Sequence, residues 1–132
     1  MNFVGLRLEC SVPEDLEKLN KVKGLLQQCL GDVTSHMFSL HDSSAVQFSI
    51  VGVVATHNTP RILVVGEISD DEFHPRTSSH MEKWAIDLAQ SWQALRGQLP
   101  DKDTRKVMCA SVGFSTRILH DAYLSLSAEP EQ

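Results

Sequence analysis

A chain of 132 residues, 42% hydrophobic and 22% charged, has the size and balance of one ordinary domain, and it can bury a core without help from metal or disulfides. Its net charge is −5, from 12 Lys and Arg against 17 Asp and Glu, and the cations are scattered. That argues against nucleic acid as a partner, because phosphates reward clustered positive charge.

Val4, Leu6, Leu8 and Cys10 alternate with Gly5, Arg7 and Glu9, the period of a half-buried strand. Ser11-Val12-Pro13-Glu14 reads as a helix start, with Ser11 as cap and Pro13 in the first turn. Leu16, Leu19, Val22, Leu26, Cys29 and Leu30 carry the apolar stripe of that helix, and Gly31 is a natural stop. Gly24 weakens it by roughly 1 kcal/mol relative to Ala. Val33 to Leu40 reads as a weaker strand, followed by a turn at His41-Asp42-Ser43-Ser44. A strand from Val46 to Ala55, the turn Thr56 to Pro60 and a strand from Arg61 to Ile68 predict an antiparallel hairpin. Gly52 and Gly66 within it suggest bulges or close backbone approach.

Ser79-His80-Met81-Glu82 has the form of a capping box, and Met81, Trp84, Ala85, Leu88, Ala89, Trp92 and Leu95 recur at helical spacing behind it. Gly97 and Pro100 end this helix. A polar loop from Leu99 to Arg105 leads to a strand over Lys106 to Val112. Ser115 then caps a last helix striped by Ile118, Leu119, Ala122, Tyr123 and Leu126, and residues 128–132 form a frayed tail. The order β-α-β-β-β-α-β-α, without repeats or linkers, predicts one α+β domain over residues 1–127. It is a two-layer sandwich in which about three helices cover a mostly antiparallel sheet of about five strands.

Cys10, Cys29 and Cys109 are odd in number, lack zinc-ligand spacing and fall at apolar positions. They read as buried reduced thiols of a reducing, cytoplasmic compartment. No leader follows Met1, and the longest apolar run, Ile50 to Ala55, is far short of the roughly 20 residues of a membrane helix. No membrane association is expected.

Two places could carry chemistry. A strand meander gathers His41 and Asp42 at the same sheet end as Asp70 and His74, with Asp71 and Glu72 nearby. Imidazoles and carboxylates there could act as general acid and base or assist a metal. A solvated acidic loop explains them as well, and no metal-binding spacing is present, so neither metal nor cofactor is expected. Gly113, Ser115, Thr116 and Arg117 lie at an expected strand-to-helix turn. Arg117 stands where a nucleophile elbow needs its second Gly, so Ser115 reads as a cap whose turn could bind an anion.

Strands such as Val53-Val54-Ala55 and Leu63-Val64-Val65 look apolar on both faces and call for cover on both. Val53 and Val64 are therefore candidates for contact with a protein partner or a second copy, with a dimer favoured. These features predict a non-catalytic protein-binding module (an adaptor, inhibitor or assembly factor). The alternatives are a small enzyme using the His/Asp/Glu cluster and an anion or small-ligand sensor at the turn before Ser115.

Overall fold

The computed structural model describes residues 3–69 and 77–119. Strand β1 is Val4–Cys10, followed by helices α1, Pro13–Lys21, and α2, Lys23–Met37. A short 3-10 turn at Ser43–Ala45 leads to β2, Gln47–Gly52, and then β3, Ile62–Ser69. Helices α3, Ser78–Arg96, and α4, Lys102–Met108, precede β4, Val112–Leu119. The sheet runs in the order β2-β1-β3-β4. β1 pairs in parallel with β2, antiparallel with β3, and β3 pairs in parallel with β4. Each half of the chain is thus a strand, a pair of helices and a parallel return strand, and the halves meet along β1 and β3. This repeated plan leaves no trace in the residue pattern.

The α+β class stands, but the sheet is mixed and has four strands, with four helices among the described residues. The expected strand at Val33 to Leu40 is the second half of α2. Its buried positions Leu26, Leu30 and Thr34 keep helical spacing. Thr34 hides the stripe by being polar, yet its hydroxyl donates to the Leu30 carbonyl at 2.9 Å and accepts the Trp84 indole N–H at 2.9 Å. Gly31 is no stop: a side chain there would press on Ser43. The break falls instead at Val22, which ends α1 and begins α2. Ser11 does not cap α1. Val12 holds that position without a side-chain bond, and the Ser11 hydroxyl donates to the Arg61 carbonyl.

The expected hairpin also fails, because β1 lies between β2 and β3. Leu8 pairs with Ile50 on one side and Val64 on the other. The connection from Val53 to Arg61 is long enough to cross two strand spacings of about 4.8 Å each, which a tight turn cannot do. Of the expected strand over Lys106 to Val112, residues 106–108 end α4 and residues 109–111 turn into β4; α4 is capped by the Asp101 carboxylate, which accepts from the Thr104 hydroxyl at 2.6 Å and from the amides of Asp103 and Thr104. Residues 112–119, expected to end in a helix, form β4. At the start of α3 the cap is Thr77 with His80, two residues earlier than Ser79 and Glu82.

The four helices of the described residues stack on one side of the sheet. Val4, Leu6, Leu8, Cys10, Ile62, Val64 and Ile68 face them, each at most 5% exposed. Trp84 and Trp92 are core residues, as their spacing implies, and the Trp92 indole donates to the Met108 carbonyl at 2.9 Å. Gly66 admits Trp84 onto the sheet, since a Cβ there would lie 2.7 Å from the ring. The buried Asp15 carboxylate ties α1 to the start of β3 through Arg61 Nε at 2.5 Å and Nη2 at 2.9 Å. Cys10 is buried, and burial together with nearby Asp15 pushes its thiol up to about 11. Cys109, expected to be buried, is exposed because it follows the last turn of α4. No helix among the described residues is long and apolar enough to cross a membrane.

Candidate functional site

Alternation along the strands sends Arg7, Glu9, Val65, Glu67, Ser115 and Arg117 to the face opposite the helices. Register then brings three charges together. Glu67 on β3 pairs with Arg117 on β4 on one side and with Gly5 on β1 on the other. Gly5 presents no side chain, so Arg7, two residues along β1, reaches Glu67 diagonally. Arg7 Nη1 donates to Glu67 Oε1 at 2.7 Å, and Arg7 Nε donates to Glu9 Oε2 at 2.8 Å. Arg117 Nε donates to Glu67 Oε2 at 2.5 Å, and its Nη2 meets the same oxygen.

The Glu67 side chain is only 10% exposed, against 28% for Arg7 and 58% for Arg117. Burial pushes the Glu67 carboxyl up, but hydrogen bonds from Arg7 and Arg117 reverse this and hold it below the usual carboxylate range. Glu67 and Glu9 in turn strengthen the proton affinity of Arg7. The carboxylate therefore fixes two guanidiniums side by side. Each keeps N–H groups not used in these bonds, in the fork geometry that suits a carboxylate.

Beside Arg7 lies a cavity of about 120 Å³ lined by Phe3, Gly5, Leu6, Arg7, Gln47, Phe48, Ser49 and Glu67. A wider hollow of about 500 Å³ sits between α2 and α3, lined by Asp32, Val33, His36, Asp87, Gln90 and Ser91. It is open to solvent, and its Asp87 is already paired with Lys83 at 3.0 Å. The smaller cavity is the better candidate because fixed charge and apolar wall converge there.

Among the described residues singled out from sequence, His41 and Asp42 lie at the 3-10 turn and Gly113, Ser115, Thr116 and Arg117 along β4. His41 is 93% exposed and lies 3.8 Å from Asp42. Asp42 caps the 3-10 turn, accepting from the Ser44 amide at 2.8 Å and from its hydroxyl, and these bonds lower its pKa. Asp70 and His74 lie outside the described residues. No group of three His, Cys, Asp or Glu among the described residues could hold a metal ion. Gly113, Ser115, Thr116 and Arg117 stand along β4 and not at a helix start, so the expected anion-binding turn is absent. Alternation sends Thr116 to the helix side, where its hydroxyl donates to the Met81 carbonyl at 2.7 Å. Arg117 alone joins the cluster. Val64 is fully buried under the helices and unavailable to a partner, whereas Val53 is 39% exposed and Val54 87%.

Neither Arg7 nor Glu67 is marked as a site residue by any local motif. The available signal is charge within the strands, Arg7 and Glu9 in β1 and Glu67 in the apolar run of β3, since a charge taken from water needs a partner of opposite sign.

No protein-family model matches the sequence, and no curated protein matches it. Solved structures do. A fused 4-OT, a wild-type asymmetric trimer, overlays with a TM-score of 0.53 at 10% identity, covering 88% of this chain and 86% of that one. A Vibrio cholerae protein of unknown function overlays with a TM-score of 0.50 at 14% identity, covering 98% and 84%. A macrophage migration inhibitory factor from Toxoplasma gondii overlays at 0.41 with 14% identity, covering 90% and 92%. The fold resembles the tautomerase/MIF fold. That likeness corrects the expectation of a non-catalytic adaptor, inhibitor or assembly factor, which is set aside.

Proposed function

We propose that this chain is a small enzyme of the tautomerase type, moving a proton within a small carboxylate substrate bound on the open sheet face, and that it works as a self-associated oligomer. The observation that carries this reading is the Arg7–Glu67–Arg117 cluster beside a cavity. The shared fold with the fused 4-OT, itself a trimer, supports both the reaction class and the self-association.

Tautomerisation needs a cation where negative charge builds on oxygen and a base to take a proton from carbon. Arg7 and Arg117 supply the cation, and neither can act as base, because guanidinium stays protonated. Glu67 is the carboxylate that lines the cavity, and Arg7 and Arg117 keep it ionised and so able to accept the proton. Glu9 is outside that lining: it receives Arg7 Nε on Oε2 and is a positioning residue that orients the guanidinium.

The test is exchange of the methyl protons of pyruvate in heavy water, followed by NMR. The wild-type protein should accelerate exchange over buffer, and Arg7→Met and Glu67→Gln should each lower the rate about 100-fold, the scale of a lost charge-stabilising or acid–base group. Wild-type exchange no faster than buffer, or full activity in both variants, removes the reading. Light scattering after gel filtration tests the second part, and a monomer at all concentrations refutes it.

A further inference from the structure

We infer that Phe3 is a specificity-determining residue: its ring walls the sheet-face cavity at the end away from Arg7 and restricts the site to short carboxylates. The inference rests on reading that cavity as a carboxylate site. Phe3, Gly5 and Arg7 follow one another on the same face of the chain, each pair about 6.6 Å apart along the strand direction. A Cβ built on Gly5 would lie 2.6 Å from Phe3 Cζ and 3.1 Å from Cε2, so the ring lies directly over the Gly5 backbone. Only glycine leaves room for it there.

The root of the ring is pinned as well. The Phe3 amide donates to the Ser69 hydroxyl at 2.7 Å, and the Ser69 amide donates back to the Phe3 carbonyl at 2.8 Å. A carboxylate on the unused N–H groups of Arg7 has Gln47 and Ser49 of β2 along one flank and the Glu67 carboxylate on the other. Glu67 repels a second negative group on its side. The body of the ligand therefore runs towards Phe3. The space before the ring is about 120 Å³. At about 30 Å³ per water that is room for about four waters, which suits a carboxylate bearing few carbons.

Acetate, butyrate and hexanoate are the probes, titrated against isotope-labelled wild type, Phe3→Ala and Phe3→Leu, with the amide shifts of Gly5 and Arg7 as readout. Wild type should bind butyrate at least about 10-fold more tightly than hexanoate, because the added methylenes meet the Phe3 ring and the cost is on the scale of those methylenes. Phe3→Ala should raise hexanoate affinity about 10-fold while leaving acetate within about twofold, and Phe3→Leu should fall between. Phe3→Leu keeps an apolar side chain and so preserves the test if the alanine variant folds poorly. An unchanged chain-length profile in both variants overturns the role of Phe3 while leaving the site itself intact. Failure of all three carboxylates to shift either amide in wild type overturns the underlying site and this inference with it.

Discussion

The helix-covered face and the open face of the sheet are made by alternate residues of the same strands, and they differ in what holds them. On the covered side, Leu8, Ile62 and Val64 are wholly buried in one core with Trp84 and Trp92 of α3. On the open side, Val65 is also only 5% exposed, yet its register neighbours are Arg7 and Ser115. The long stems of arginine cover apolar surface while their heads stay wet. Here the heads are locked by Glu67. One face is stabilised by removing apolar area from water, which is insensitive to pH. The other depends on a charged network, which is not. Apolar residues on both sides of β3 therefore do not by themselves demand a second covering layer.

The largest expected effect is on the covered face. Trp84→Ala should cost about 4 kcal/mol, the range for emptying a buried aromatic site, and it also leaves the Thr34 hydroxyl without its indole partner. Urea denaturation checks this. A loss under about 1 kcal/mol would mean that the helices pack on the sheet in some other way.

Glu67→Gln should cost less, about 2 kcal/mol at neutral pH. That is below the 3–5 kcal/mol of a fully buried pair because Arg117 is 58% exposed. The pH dependence separates the faces more sharply. The folded-state pKa of Glu67 is lowered, so its contribution is complete above the unfolded carboxyl value of about 4.3 and is lost as pH falls through the folded value. The gap in unfolding free energy between wild type and Glu67→Gln should close in acid, while the Trp84→Ala deficit persists. Denaturation at pH 7, 5 and 3 measures both. A Glu67→Gln gap that stays constant across this range would show that the network is not electrostatic.

How much of this is legible in the residue order depends on how local each feature is. The alternation of Val4 to Cys10 and the stripe from Met81 to Leu95 identify β1 and α3, because each buries one face at a regular period. The second half of α2 is obscured by Thr34 and Gly31, whose roles are set by Trp84 and Ser43 on distant segments. The site is harder still. Arg7, Glu67 and Arg117 are brought together only by the strand order β1-β3-β4. Reading β2 and β3 as a hairpin removes β1 from between them and dissolves the cluster. Arg117 stands out in the sequence for its place beside Ser115, a local reason that the structure replaces with a non-local one.

The smallest expected effect tests that replacement. If Ser115 capped a helix, losing its hydroxyl would cost about 1 kcal/mol, because a first-turn amide would lose its acceptor. Ser115 instead stands exposed in β4, paired with Val65 on the open face. There a β-branched side chain suits the extended backbone and can pack across the pair. Ser115→Val should therefore leave stability within about 0.5 kcal/mol of wild type, or raise it slightly. The same substitution leaves Arg117 and Glu67 untouched, so the pH-dependent gap between wild type and Glu67→Gln should reappear unchanged in the Ser115→Val background. A loss near 1 kcal/mol would return residues 115–119 to a helix and, with them, take Arg117 away from Glu67.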